Sequence, residues 1–265
     1  MRPIFLNTVL VTTLLSGCGS DDVAPVTEAT VPLSDYGVIR IRHDTSTAQS
    51  QLDAVFCDLV TPTTAATVDG QFLTGADQCT VSNDGAAGID ITAPLVCSAS
   101  LPAQSISAGS NLTVTSGTGT YADLTQQQTD GAISYTVNNP LPRPPSGLTL
   151  DIPGDAFPQF TAVQIPDLQD LVVNSPASGE ILRSDTGITW TTATNGTNSR
   201  LLLTATDADV TVNCSLADDG SFNFSAATQA ELGELFAASS VSIRRQNFTS
   251  PTRGDSGLVI ITSIQ

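Results

Sequence analysis

The side chains with chemistry to offer are few: five Cys, one His and 26 acidic residues, of which 22 are Asp and four Glu. Nine cations oppose them, all Arg, so the formal net charge is −17 and the isoelectric point about 4.1. Without Lys, the chain has no residue for a Schiff base, a pyridoxal linkage or the lysine of a phosphate-binding loop. With His43 alone, it builds no multi-histidine metal site. A surface this acidic repels phosphate backbones, which excludes nucleic acid as an expected partner. It keeps the chain soluble by mutual repulsion.

Two Asp clusters, Asp207-Ala208-Asp209 and Asp218-Asp219-Gly220, flank one candidate strand. Oxygen-rich hairpin ends bind Ca²⁺, so Asp207, Asp209, Asp218 and Asp219 are the candidate ligands of a structural Ca²⁺. Their spacing does not fit the helix–loop–helix Ca²⁺ loop. Asp at such places also forms turns by bonding its own backbone. Facing carboxylate pairs do glycosidase chemistry, but among 22 Asp such pairs carry no signal. No catalytic residue is assigned, and the chain is not expected to be an enzyme.

Residues Gly254-Asp255-Ser256-Gly257 are similar to the nucleophile motif of trypsin-like serine proteases. That resemblance fails in its surroundings. Leu258-Val259 stand where the family continues Gly-Pro, and only nine residues follow Ser256. A triad works only when Ser, His and Asp meet beside an oxyanion hole. Arg253-Gly254-Asp255 is therefore expected as a tight turn before the last strand, and His43 as an exposed loop residue. Trp190 and Tyr135 alternate with apolar neighbours and are expected in the core. Tyr121, after a Gly-Thr-Gly-Thr run, is the best aromatic for an exposed glycan contact.

The N-terminus has the pattern of an export signal. Arg2 precedes an apolar stretch from Ile4 to Leu15, too short for a bilayer span, which needs about 20 residues. It ends in Leu15-Ser16-Gly17-Cys18, which resembles the lipobox of bacterial lipoproteins. The resemblance implies cleavage before Cys18, lipidation of Cys18, and membrane attachment by acyl chains such as palmitate. Gly19 after the Cys implies the outer membrane, on its periplasmic face or at the cell surface. Residues 1–17 are then the signal peptide. Residues 18–34 are the lipidated Cys and an acidic, Pro-containing tether, whose reach is at most about 55 Å at roughly 3.4 Å per residue.

An exported chain meets an oxidising compartment, so Cys57, Cys79, Cys97 and Cys214 are disulfide candidates. Three pairings are possible. The expected one joins Cys57 to Cys79, leaving Cys214 as a buried thiol or a long-range partner of Cys97. CxxC spacing is absent, which argues against zinc.

These residues must be positioned by strands. Period-two alternation broken by Gly, Asn, Asp and Pro recurs along the chain. It predicts strands at 36–42, 53–60, 78–82, 88–91, 112–116, 132–137, 148–152 and 160–164. A second set follows at 171–173, 180–183, 187–192, 200–206, 210–216, 221–224, 241–245 and 258–264. Thr228-Gln229-Ala230-Glu231 fits a capping box ahead of Leu232, Leu235 and Phe236, predicting one short helix. The expected fold is all-β: two tandem Ig-like β-sandwiches, residues 35–167 and 168–265, divided near Pro166. The whole resembles uncharacterised lipoproteins with tandem β-sandwich domains. It implies an envelope protein acting through protein–protein or surface contacts, or alternatively a glycan- or Ca²⁺-dependent surface binding module.

Overall fold

The computed structural model describes residues 31–72, 77–82, 95–97, 101, 103–176, 187–194, 198–207, 210–226, 229 and 241–264. Cys18, the expected strands at 88–91 and 180–183, and most of the expected helix lie outside them.

Among the described residues, seventeen strands and the helix α1 (Ala65–Phe72) follow in chain order. The first part contains β1 (Leu33–Asp44), β2 (Gln49–Thr63), α1 (Ala65–Phe72), β3 (Gln78–Ser82), β4 (Ala103–Ser105), β5 (Asn111–Ser116), β6 (Gly119–Thr129), β7 (Ala132–Thr136), β8 (Thr149–Ile152) and β9 (Phe160–Gln164). The second contains β10 (Val173–Ser175), β11 (Ile188–Trp190), β12 (Ser199–Asp207), β13 (Val210–Ala217), β14 (Ser221–Phe222), β15 (Val241–Thr249), β16 (Thr252–Arg253) and β17 (Ser256–Ile264). The protein is all-β, as the alternation predicts. The last two residues of the expected tether, Leu33 and Ser34, belong to β1, because Leu33 is only 2% exposed.

One sheet of 14 strands runs β3-β13-β12-β15-β17-β1-β2-β7-β6-β5-β8-β9, with β4 and β16 attached to β2 and β17. A second sheet orders β10-β11-β14. Alternate residues of β1, β2 and β17 (Ile39, Ile41, Leu52, Phe56, Leu258, Ile260) pack against Leu112, Leu124, Leu150, Phe157 and Phe160 from β5 to β9. Aromatic contacts knit this layer: Phe56 meets Tyr135 edge-on at 5.4 Å and Phe157 at 4.6 Å. The opposite face of β1, β2 and β17 holds Tyr36, Val38, Val55, Cys57 and Val259 with Val68 of α1. A third core sets Ile188 and Trp190 of the small sheet on Leu201, Leu203, Val212, Cys214 and Leu216. The packing is sheet on sheet in two places.

The strands do not sort at Leu168. β1 pairs with β17 in parallel from Asp35↔Ser256 to His43↔Ile264, and β3 pairs with β13. Residues Val31–Gln265 accordingly form one compact unit. Close approach makes this possible: a Cβ at Gly37 would lie 2.6 Å from the Phe56 ring and 2.8 Å from Leu258.

The disulfide pairing differs from the expected one. Cys57 joins Cys97, and Cys79 joins Cys214. The reason is topological: β3 is carried away from β2 and laid beside β13, where Cys79 and Cys214 stand directly opposite each other. The helix α1 was also unexpected, since β-branched Thr67 and Val68 and the interior Gly70 weaken its helical signal. Its cap is Thr64, whose Oγ1 accepts from the Thr67 amide at 3.2 Å.

Candidate functional site

The sequence candidates are scattered through the fold. Ser256 and His43 sit at opposite ends of β1: Ser256 pairs with Asp35, and His43 lies eight residues further along, about 26 Å at strand rise. Ser256 is 2% exposed and its hydroxyl bonds to Asp35. Arg253-Gly254-Asp255 is an exposed turn, with Gly254 at φ +63°, and Arg253 donates to the Gln159 carbonyl.

His43 is not the exposed loop residue expected. It is 6% exposed, because β1 runs on to Asp44 and pairs His43 with Ser50 across the hairpin. Its Nδ1 lies 2.9 Å from Ser50 Oγ. Ser50 is fully buried, paired with His43 on one side and with Leu141 on the other, where the two residues exchange both backbone hydrogen bonds. Tyr121 is half-buried; its hydroxyl donates to the Pro142 carbonyl at 2.6 Å. Burial raises its pKa above the usual tyrosine value, against a lowering bond to Ser50. It lines a hollow of about 300 Å³ with Asp123, Asn138 and Asn139. Trp190 and Tyr135 are in the core, at 3% and 0% exposure. Tyr135 satisfies its buried hydroxyl by accepting from Ala108 N and donating to Gly109 O.

The Asp candidates divide. Asp219 is exposed, and its Oδ1 accepts from the Ser221 amide, an Asx turn. The side chains of Asp207 and Asp209 lie outside the described residues. Asp218 is held elsewhere: its Oδ2 accepts from Arg245 Nε at 2.8 Å, and its Oδ1 from Trp190 Nε1 at 2.8 Å and Arg245 Nη2 at 3.1 Å. Ser199 donates to it as well. The two ionic side chains are 1% and 2% exposed. Arg245 also donates to the Asp170 and Thr191 carbonyls. Among the described residues no group of three His, Cys, Asp or Glu is arranged around a metal position.

A third carboxylate group lies at the start of β1. Burial raises the pKa of Asp35 above the ordinary carboxylate value, the Ser256 and Ser34 hydroxyls oppose this, and Asp255 and Asp58 add to it.

A groove of about 710 Å³ runs between β3 and β14, lined by Asp77, Gln78, Cys79, Thr80, Ser221, Phe222, Asn223 and Ser225. The β3 wall is riveted to β13 by the disulfide. The β14 wall follows the turn at Asp218, whose carboxylate joins β11, β12 and β15 through Trp190, Ser199 and Arg245. Phe222, Cys79 and Val81 pack on the third core. Asp77 supplies a carboxylate already accepting from the Ala217 amide at 3.0 Å. Sequence reasoning missed this groove because its walls lie some 140 residues apart along the chain. The only local signals were two turns.

Comparison with known proteins finds no matching family model, no matching curated protein and no matching solved structure.

Proposed function

We propose that this is a lipid-anchored, non-enzymatic protein of the bacterial outer membrane, held through Cys18 and acting by protein–protein contact in assembly, scaffolding or adhesion. The observation that carries this reading is the pairing of Leu15-Ser16-Gly17-Cys18 with four later cysteines that are all disulfide-bonded. Disulfides form and persist in oxidising compartments. Several acyl chains on Cys18 give stable attachment, at about 0.8 kcal/mol per buried CH₂.

Mass spectrometry of the membrane fraction tests the anchor. The expected N-terminal peptide begins at acylated Cys18, and Cys18→Ser moves the protein to the soluble fraction. A soluble product retaining Met1 refutes it. Site-specific cross-linking around the surface tests the contacts: discrete adducts are expected. Turnover on a hydrolase panel, lost in one Asp or Ser variant, refutes the non-enzymatic part.

A second reading, glycan binding, is favoured by the Tyr121 hollow with Asn138, Asn139 and Asp123. Binding on a glycan array that Tyr121→Ala removes supports it; an empty array removes it.

A further inference from the structure

We infer that the hollow beside Tyr121 takes one uncharged sugar residue, its ring laid on Tyr121, and that His43 holds Tyr121 in place for it through Ser50. This rests on the glycan reading above, names the class of sugar and gives His43 a positioning role.

The hollow comes from a split in the sheet. β6 pairs with β7 only from Thr125↔Thr136 to Thr129↔Ala132. Towards its start, β6 stays with β5 as far as Gly119, while β7 turns to β2 through Tyr135 and Thr136. The chain after β7 follows β2 as well: Val137 N donates to Leu52 O, and Leu141 exchanges both backbone hydrogen bonds with Ser50. The gap between β6 and residues 137–141 is the hollow of about 300 Å³. Both of its walls belong to the continuously described stretch 103–176.

A bulge delivers Tyr121 to this gap. Val114 pairs with Ala122 and Thr115 with Thr120, so Tyr121 is the extra residue of β6, without a partner in β5. Bulges re-aim side chains in this way. Counting protons then orders the contacts of its hydroxyl. A carbonyl only accepts, so the one Tyr121 proton goes to Pro142 O. In its bond to Ser50, Tyr121 is therefore the acceptor and Ser50 the donor. With that proton spent, Ser50 Oγ accepts from His43, and Nδ1, 2.9 Å away, carries a hydrogen. The chain runs from His43 through Ser50 and Tyr121 to Pro142. Ser50 also holds the Leu141 wall by its backbone, so both sides of the hollow are tied to one buried residue.

With its hydroxyl engaged, Tyr121 offers a ligand its ring. Val137 and Leu141 extend that apolar wall, and exposed Thr120, Asp123, Asn138 and Asn139 form a polar rim. A sugar has the same two sides, a C–H face that packs on an aromatic ring and an edge of hydroxyls that exchange hydrogen bonds. Asp123 Oδ1 accepts from Thr113 at 2.9 Å, which orients the carboxylate. Among the described residues no cation lines the hollow, and Asp123 is its acid. An acidic sugar meets repulsion there and an uncharged one does not. The volume is at the small end of ligand sites, which suits one residue of a glycan.

The test is saturation-transfer NMR on the full-length, detergent-solubilised protein, with methyl glycosides of neutral hexoses and of the matching hexuronic acids as probes. The expected result is transfer to the ring protons of a neutral glycoside, with its uronic counterpart bound about tenfold more weakly. Tyr121→Ala should remove the transfer. His43→Leu should weaken binding about tenfold, the effect of one lost hydrogen bond. His43→Asn, whose amide N–H stands near the place of Nδ1–H, should restore most of it, which a merely space-filling role would not produce. Asp123→Arg alters an exposed side chain and should invert the preference towards the uronic acid, which keeps the test decisive where the His43 variants misfold. Equal binding of neutral and acidic glycosides, or a folded His43→Asn no better than His43→Leu, overturns this inference and leaves the glycan reading standing. No transfer to any glycoside, or transfer untouched by Tyr121→Ala, overturns both.

Discussion

The two ends of the large sheet are built differently. β9 is five residues long, as β3 is, but its edge is spoiled. Ala162 sits at φ +52°, and the β8–β9 register slips between Leu150 and Ile152. The Ala162 amide donates to Asp151 Oδ1 at 2.8 Å, so a side chain already occupies that donor. Pro158 and Pro166 flank the strand. β3 keeps a regular register with β13 and carries a cross-strand disulfide, and Asp77 just before it sits at φ +56° with its carboxylate accepting from the Ala217 amide. Within one sheet, therefore, β9 departs from regular pairing by local irregularity, while β3 is held to its neighbour by a covalent bond.

The largest expected effect comes from breaking the wall opposite β3. Asp218→Ala leaves Arg245 buried without its carboxylate, which costs about 3–5 kcal/mol; urea unfolding should show this, with loss of the Trp190 environment by fluorescence. Removing Cys79 and Cys214 together to Ser should cost roughly 2–5 kcal/mol. It should also speed amide exchange throughout β3 and leave β9 unchanged. If β9 loosened equally, the two edges would not be independent.

Asp151→Ala is smaller, about 1 kcal/mol for a lost hydrogen bond to backbone. It should free the β9 edge, read as faster exchange at Ala162 and new self-association in sedimentation. The smallest effect is a baseline remote from both edges. Burial raises the pKa of Asp35 in the folded chain, so the folded state holds its proton over a pH range where the unfolded chain has lost it. Stability therefore falls as pH rises from the ordinary carboxylate value of 3.8 through the raised one, and the loss persists above it. Asp35→Asn should raise Tm at pH 7, and the gain should vanish as pH falls to that ordinary value.

Legibility followed the reach of each interaction. Both edge strands were readable to the residue, Gln78–Ser82 and Phe160–Gln164, because alternation and turn residues are local. β6 was missed: its Gln126-Gln127-Gln128 run hides the alternation of buried Ala122 and Leu124. His43 was misplaced because β1 runs past Arg42, and burial there depends on Leu141 bridging from a distant loop. Asp218 had the signature of a turn, and nothing near it in sequence announces Arg245, 27 residues later.

What the residues alone determined is the all-β class, the acidic Lys-free composition and the set of four later cysteines. Each depends on composition, spacing or period two, which need no partner in space. The tertiary structure decided which cysteines join, that β17 lies parallel to β1, and that β3 and β14 line one groove. Those outcomes depend on which distant surfaces bury each other best, and pairing energy between remote strands leaves no trace in the local sequence of either.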